Sequence, residues 1–289
     1  MYERYFGLTA KPFALTPDPA FLYASRQHGM ALTMLEYGLE SQAAFSLLTG
    51  EIGSGKTTLV RKLVRQLGDR TTVGLISNTH ARFRAIHGWA LSALGVQMPP
   101  ADSDIAVYEA LVDHLVKEYG RGRRTLLILD EAQNLAVEAL EDLRLLSNVN
   151  SEKDLVLQIL LVGQPELRET LSRPELRQFA QRVSVDYHLK ALDATETAAY
   201  VRHRFEVAGG DSALFTPEAL TLIHAHTRGI PRLVNQLCDY ALVYAFAERV
   251  RRIDAELISQ VVSDRRGGIA LSALAIERRP LPLTVNDAS

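Results

Sequence analysis

Residues 44–64 read Ala44-Phe45-Ser46-Leu47-Leu48-Thr49-Gly50-Glu51-Ile52-Gly53-Ser54-Gly55-Lys56-Thr57-Thr58-Leu59-Val60-Arg61-Lys62-Leu63-Val64. A short apolar run suited to a buried strand leads into G-x-x-x-x-G-K-T at residues 50–57. Helical spacing follows in residues 58–64. Strand, glycine-rich loop and helix in this order make a phosphate-binding loop. Glycines let successive backbone N–H groups close around a polyphosphate, and the helix N-terminus adds its own attraction for anions. Residues Gly50, Glu51, Ile52, Gly53, Ser54, Gly55, Lys56, Thr57 and Thr58 are therefore expected to bind the phosphates. Lys56 supplies a point charge for the β- and γ-phosphates, and the Thr57 hydroxyl is a ligand for Mg²⁺.

The second informative stretch is Thr125-Leu126-Leu127-Ile128-Leu129-Asp130-Glu131. A fully apolar strand delivers two adjacent carboxylates at its C-terminal end, where ligand sites of α/β sheets lie. In a nucleotide hydrolase Asp130 would hold Mg²⁺ and Glu131 would activate the attacking water. A strand exit with a helix-capping acid is the competing reading. Further apolar runs at 72–76, 155–162 and 183–189 predict strands. Helices are expected over 25–40, 82–94, 103–119 (with Ile105, Tyr108, Leu111, Leu115 and Tyr119 as its core face) and 136–147. Alternating helices and continuous apolar strands predict an α/β fold with a parallel sheet covered on both faces.

Beyond residue 191 the pattern is helical only. Asp193 and Glu196 form a capping-box start, Thr216-Pro217 another, and further helices follow Gly229-Ile230-Pro231-Arg232 and Asp254. The expected organisation is a nucleotide-binding domain over 1–191, a helical lid over 192–265 and a disordered tail over 266–289. The opening segment, rich in aromatics and prolines (Phe6, Pro12, Phe13, Pro17, Pro19, Phe21, Tyr23), is expected to dock on the first domain, because so many aromatics do not stay solvated.

With 47% hydrophobic residues in 289, the chain can bury a sizeable core. Its net charge of −2 supplies no global field toward nucleic acid. The single cysteine, Cys238, sits at helical spacing among Val234, Leu237, Ala241 and Leu242 and reads as a core thiol. It excludes an intramolecular disulfide, and the histidines have no metal-ligand spacing. No signal peptide or transmembrane-length run is visible, so a cytoplasmic protein is expected, peripheral to the inner membrane through a partner.

The phosphate loop, the Asp130-Glu131 strand and the helical C-terminal part together resemble the AAA+ ATPases. More narrowly, the chain resembles the general secretion pathway protein A group and its exopolysaccharide-associated relatives. The residues that carry this are Met1-Tyr2-Glu3-Arg4-Tyr5-Phe6-Gly7-Leu8, Pro12-Phe13, Pro17-Asp18-Pro19, Phe21-Leu22-Tyr23, Asp130-Glu131-Ala132-Gln133-Asn134, Leu161-Val162-Gly163-Gln164-Pro165-Glu166-Leu167 and Gly229-Ile230-Pro231-Arg232. Transposition-regulator ATPases share much of this core.

The resemblance implies a P-loop NTPase sheet followed by a helical lid, with ATP and Mg²⁺ as ligands and hydrolysis in a homo-oligomeric ring or filament. It implies that Gln164 senses the γ-phosphate, that Arg232 is a lid arginine contacting phosphate in its own subunit, and that Arg182 is an arginine finger acting in trans, with Arg177 as competitor. Asn78 stands where a residue restraining the catalytic glutamate is placed, and an asparagine without that job is the alternative. The implied partner belongs to envelope export or polysaccharide assembly; the alternative is DNA together with a transposase.

Overall fold

The computed structural model describes residues 1–16, 18–77, 86–99, 103–149 and 155–265. In chain order the elements are α1 (Tyr2–Phe6), α2 (Arg26–Glu40), β1 (Phe45–Gly50), α3 (Lys56–Gln66), β2 (Thr71–Ile76), α4 (Ile86–Ala93), α5 (Asp104–Gly120), β3 (Arg124–Leu129) and α6 (Val137–Leu146). Then come β4 (Leu157–Gly163), α7 (Pro165–Leu171), α8 (Arg177–Ala180), β5 (Val183–Leu189), α9 (Ala194–Val207), α10 (Pro217–Thr227), α11 (Pro231–Ala247) and α12 (Ala255–Asp264). Asn78, the start of the helix expected over 82–94, and the tail from residue 266 lie outside the described residues.

The strands form one sheet in the order β2-β3-β4-β1-β5, with every pairing parallel. Side chains along each strand alternate between the two faces, and both faces are buried. Phe45, Leu47, Leu127, Leu129, Ile159 and Leu161 join the cluster under α4, α5 and α6. Leu48, Leu126, Ile128, Leu160 and Val162 join the cluster under α2 and α3. This is why the strands read as unbroken apolar runs. Because all strands run the same way, the carboxyl ends of β1, β3 and β4 open on one edge of the sheet, where the phosphate loop, Asp130 and Gln164 follow them.

Helix α5 buries Leu111 and Leu115 as expected, but its buried stripe is rotated toward Val107 and Glu118. Val107, Leu111, Leu115 and Glu118 face inward, while Ile105 is 71% exposed and Tyr108 and Tyr119 lie at the surface. Glu118 is what fixes the rotation. Its carboxylate, 2% exposed, accepts from Thr72 Oγ1 of β2 at 2.6 Å, from Arg121 Nη1 at 2.9 Å and from Arg123 Nη2 at 2.7 Å. The Arg123 bond first, and then the Thr72 bond, hold its pKa at about 2. A buried carboxylate is tolerated only when it is paired and hydrogen-bonded.

A third cluster is built from the helices after β5. Tyr200, Val201, Phe205, Leu220, Ile223, Val234, Leu237, Leu242 and Ile258 pack together, with the fully buried Cys238 among them. The capping box of Asp193 and Glu196 starts α9, and Thr216 caps α10. Tyr2, Leu8 and Phe13 belong to this cluster as well. The N-terminal segment thus docks on the helical part and not, as its sequence suggests, on the sheet of the nucleotide-binding domain. Arg204 explains the choice: its Nε donates to Pro12 O at 2.6 Å and its Nη2 to Ala14 O at 3.4 Å. Its guanidinium also lies over the Phe21 and Tyr200 rings. Strap carbonyls and rings satisfy a cation that α9 buries.

Candidate active site

The phosphate loop follows β1 and closes with Gly53 at φ 81° and Gly55 at φ 101°, both in the left-handed region that favours glycine. Lys56 opens α3 and is 7% exposed. Its Nζ donates to the carbonyls of Gly50 at 2.6 Å and Glu51 at 3.0 Å. Burial lowers the Lys56 pKa; the carboxylates of Glu131, Asp130 and Glu51 work against that burial. The Ser54 hydroxyl is buried in the same loop without a hydrogen-bond partner.

Thr57 and Asp130 meet across the loop: Thr57 Oγ1 donates to Asp130 Oδ2 at 3.0 Å. The Asp130 backbone N–H is tied to Ile76 O, so the carboxylate is carried on the paired ends of β2 and β3. Burial raises the Asp130 pKa against the opposing bonds from Thr57 and the Glu131 backbone. Two oxygen donors on rigid elements fit a Mg²⁺ that keeps most of its shell for water and phosphate. Glu131 adopts φ 56°, ψ 37°, a left-handed conformation that is uncommon for a residue with a side chain. It turns beside the loop, and its Oε2 accepts from Gln133 Nε2 at 2.6 Å and Gln164 Nε2 at 3.3 Å.

The helical part closes the other side. The Arg232 N–H at the start of α11 donates to Gly53 O at 3.2 Å. A cavity of about 230 Å³ results; Gly53, Lys56, Thr57, Thr58, Glu131, Gln164 and Arg232 line one part, and Leu15, Phe21, Tyr23, Tyr200 and Asn235 another. Ile52 and Gly55 line it too, while Gly50, Glu51, Ser54 and Asp130 do not. One wall is polar and cationic and the other largely aromatic, which suits a phosphate chain attached to a flat apolar group.

Arg182 is elsewhere. It precedes β5 at the N-terminal edge of the sheet, opposite the phosphate loop, and its Nη1 donates to Ser147 Oγ at 2.8 Å and Arg144 O at 3.4 Å. Arg177 is exposed on α8. Neither arginine lines the cavity of its own chain.

His28 and Gln133 touch the site although their roles were not read from the sequence. The 5%-exposed His28 lies on α2. Its Nε2 is 3.1 Å from Ser54 O and its Nδ1 is 2.8 Å from Ser25 Oγ. A carbonyl can only accept, so Nε2 carries the proton and Nδ1 accepts from the serine. The one sequence signal was position: Ser25 also caps α2 through the His28 N–H.

The model of a family described as an AAA domain matches residues 39–171. General secretion pathway protein A of Aeromonas hydrophila is 42% identical over 273 residues, covering 92% of this chain and 49% of that protein. The chain therefore spans about half the length of this relative. Among solved structures, the ORC2 protein of Aeropyrum pernix, described as ADPNP–ADP complexes, superposes with a TM-score of 0.66 at 22% identity, over 88% of this chain and 71% of the other. Cdc6p from Pyrobaculum aerophilum superposes with a TM-score of 0.67 at 20% identity, over 91% and 73%. These two share the P-loop sheet flanked by helices and the helices that follow it.

Proposed function

We propose that this chain, built on an AAA domain of the general secretion pathway protein A type, hydrolyses ATP in the presence of Mg²⁺ as part of a homo-oligomer. We read its nucleotide state as being passed to a protein partner in secretion or exopolysaccharide export. The observation that carries the chemistry is the convergence of Lys56, Thr57 and Glu131 on one cavity, with Asp130 bonded to Thr57 beside it. Lys56, held by two loop carbonyls, is a cation that a phosphate oxygen can recruit. Thr57 and Asp130 would hold Mg²⁺, which when bound neutralises charge on the β- and γ-phosphates. Glu131 orients a water and accepts its proton as the water oxygen bonds to the γ-phosphorus and the bond to the ADP oxygen breaks. Gln164 lies beside Glu131 where it can follow the γ-phosphate, and Arg232 closes the site from α11.

In this reading a neighbouring subunit supplies the remaining positive charge through Arg182, or Arg177 in its place, which ties hydrolysis to assembly. No helix among the described residues is long and apolar enough to cross a membrane. In this reading the chain works on the cytoplasmic side and reaches the envelope through its partner. The test is ATP turnover with Mg²⁺ of the wild type and Glu131→Gln, with oligomeric state followed with and without DNA. Turnover lost in Glu131→Gln with ATP binding kept supports the reading. Equal rates would remove Glu131 as the base, and assembly that needs DNA would move the partner from an envelope protein to nucleic acid.

A further inference from the structure

We infer that Gln133 is a positioning residue for Glu131, holding the glutamate against the end of β4 by a two-sided amide clasp. Its amide carries the donor and the acceptor that both bonds seen here need. Gln133 Nε2 donates to Glu131 Oε2 at 2.6 Å, and Gln133 Oε1 accepts from the Gln164 backbone N–H at 3.0 Å. Turning the amide over would set oxygen against carboxylate and N–H against N–H, so the partners fix its orientation. A glutamate in its place would face Glu131 with like charge, and a leucine would remove both of these bonds.

The fold makes room for this amide. Gly163, the last residue of β4, has no side chain where one would collide: a Cβ there would stand 2.9 Å from Gln133 Oε1 and 2.8 Å from Leu167 Cδ2. The clasp therefore joins three places that must agree in geometry: the exit of β3 at Glu131, the short turn over Ala132–Asn134 and the exit of β4 at Gln164. Glu131 is also in the left-handed conformation, which a side chain does not adopt unless its surroundings hold it there.

The two glutamines divide the work. The Gln164 amide reaches the same Glu131 oxygen at 3.3 Å and lines the cavity, so in the proposed reaction it can turn toward a γ-phosphate. Gln133 is anchored to backbone on its other side and stays. It keeps the carboxylate aimed while Gln164 changes partner, and it transmits any shift of the β4 exit to Glu131. The assignment rests on the hydrolytic reading above, because positioning Glu131 matters only if Glu131 acts.

The experiment measures kcat and KM for ATP, together with binding of a fluorescent ATP analogue, for the wild type, Gln133→Leu, Gln133→Glu, Glu131→Gln and the double variant Glu131→Gln/Gln133→Leu. Loss of a hydrogen bond to a charged group predicts a fall in kcat of roughly 10- to 100-fold in Gln133→Leu, a larger fall in Gln133→Glu, and unchanged analogue binding in both. In the Glu131→Gln background the second change costs nothing further, because the residues act as one unit. Gln133→Leu turning over at the wild-type rate would overturn the assignment, as would a loss that multiplies in the double variant. A wild type that binds the analogue but does not hydrolyse ATP would instead overturn the hydrolytic reading on which the assignment stands.

Discussion

Arg232 sits on Gly53: a Cβ at position 53 would stand 2.4 Å from the Arg232 Cβ, and the Arg232 N–H donates to the Gly53 carbonyl. Helix α11 thus rests its first turn on the phosphate loop. Gly53→Ala must either push α11 away or distort the loop, at a φ of 81° that itself disfavours a side chain. The expected cost is about 1–3 kcal/mol of stability and a fall in ATP affinity of tenfold or more. Thermal melts and nucleotide titration check both. An unchanged affinity would mean that α11 does not govern the loop.

The pH dependence of stability should carry the mark of His28. Burial lowers its pKa, against opposing contributions from the Ser54 carbonyl and Glu196. The folded chain therefore binds fewer protons on His28 than the unfolded chain, so its contribution is present above the unfolded value and is lost as pH falls through the folded one. His28→Gln keeps a donor for the Ser54 carbonyl but does not titrate. Its loss in melting temperature between about pH 7.5 and about pH 5.5 should be smaller than that of the wild type. His87, His114 and His188, also lowered by burial, titrate in both proteins and cancel in the comparison.

Glu118 contributes in the same sense but at lower pH. Its pKa of about 2 lies below the usual carboxylate range, so its contribution is present above that range and is lost as the carboxylate is protonated on acidification. Glu118→Gln should cost about 1–3 kcal/mol near neutrality, with the difference from the wild type closing as pH falls toward about 2. Denaturant melts at a series of pH values measure this. A difference that stays constant with pH would mean that the buried shape matters and the charge does not.

These residues also mark what the sequence carried. The strands were legible because both sheet faces are buried, so residues such as Leu126–Leu129 had to be apolar on either side. Thr57 and Asp130 were legible because the phosphate-loop chemistry demands them near each other. On α5, Leu111 and Leu115 were legible as core, but Ile105, Tyr108 and Tyr119 lie outside the buried stripe because its rotation depends on Glu118 meeting Thr72 of β2, 46 positions away. The docking of the N-terminal segment was equally hidden, since it depends on Arg204, 192 positions beyond Pro12. His28 and Gln133 are ordinary polar residues until the fold sets a loop carbonyl or a strand end beside them.

The strap offers a direct prediction. Phe13 is 1% exposed and packs on Phe205 and Phe215, so Phe13→Ala should cost about 3–5 kcal/mol. Arg204→Lys keeps the charge but cannot bond Pro12 O and Tyr200 Oη from one planar group. It should weaken ATP binding severalfold, because the strap residues Leu15, Phe21 and Tyr23 line the cavity. Limited proteolysis of the first residues and nucleotide titration read the two effects. A strap cleaved faster with ATP affinity intact would make it a structural brace only.

Arg182 and Arg177 can be told apart by what each holds. Arg182 bonds Ser147 Oγ and the Arg144 carbonyl at the end of α6, so Arg182→Ala should lose about 1 kcal/mol of stability. Arg177 is exposed on α8, and Arg177→Ala should stay within about 0.5 kcal/mol of the wild type. A finger acting in trans has a further signature. Neither the arginine variant nor Glu131→Gln would turn over alone, yet a mixture of the two would regain activity, because one type of interface pairs an intact Glu131 with an intact arginine. We expect this restoration for Arg182→Ala. Restoration by Arg177→Ala instead would transfer the role to α8, and restoration by neither would show that the site is complete within one chain.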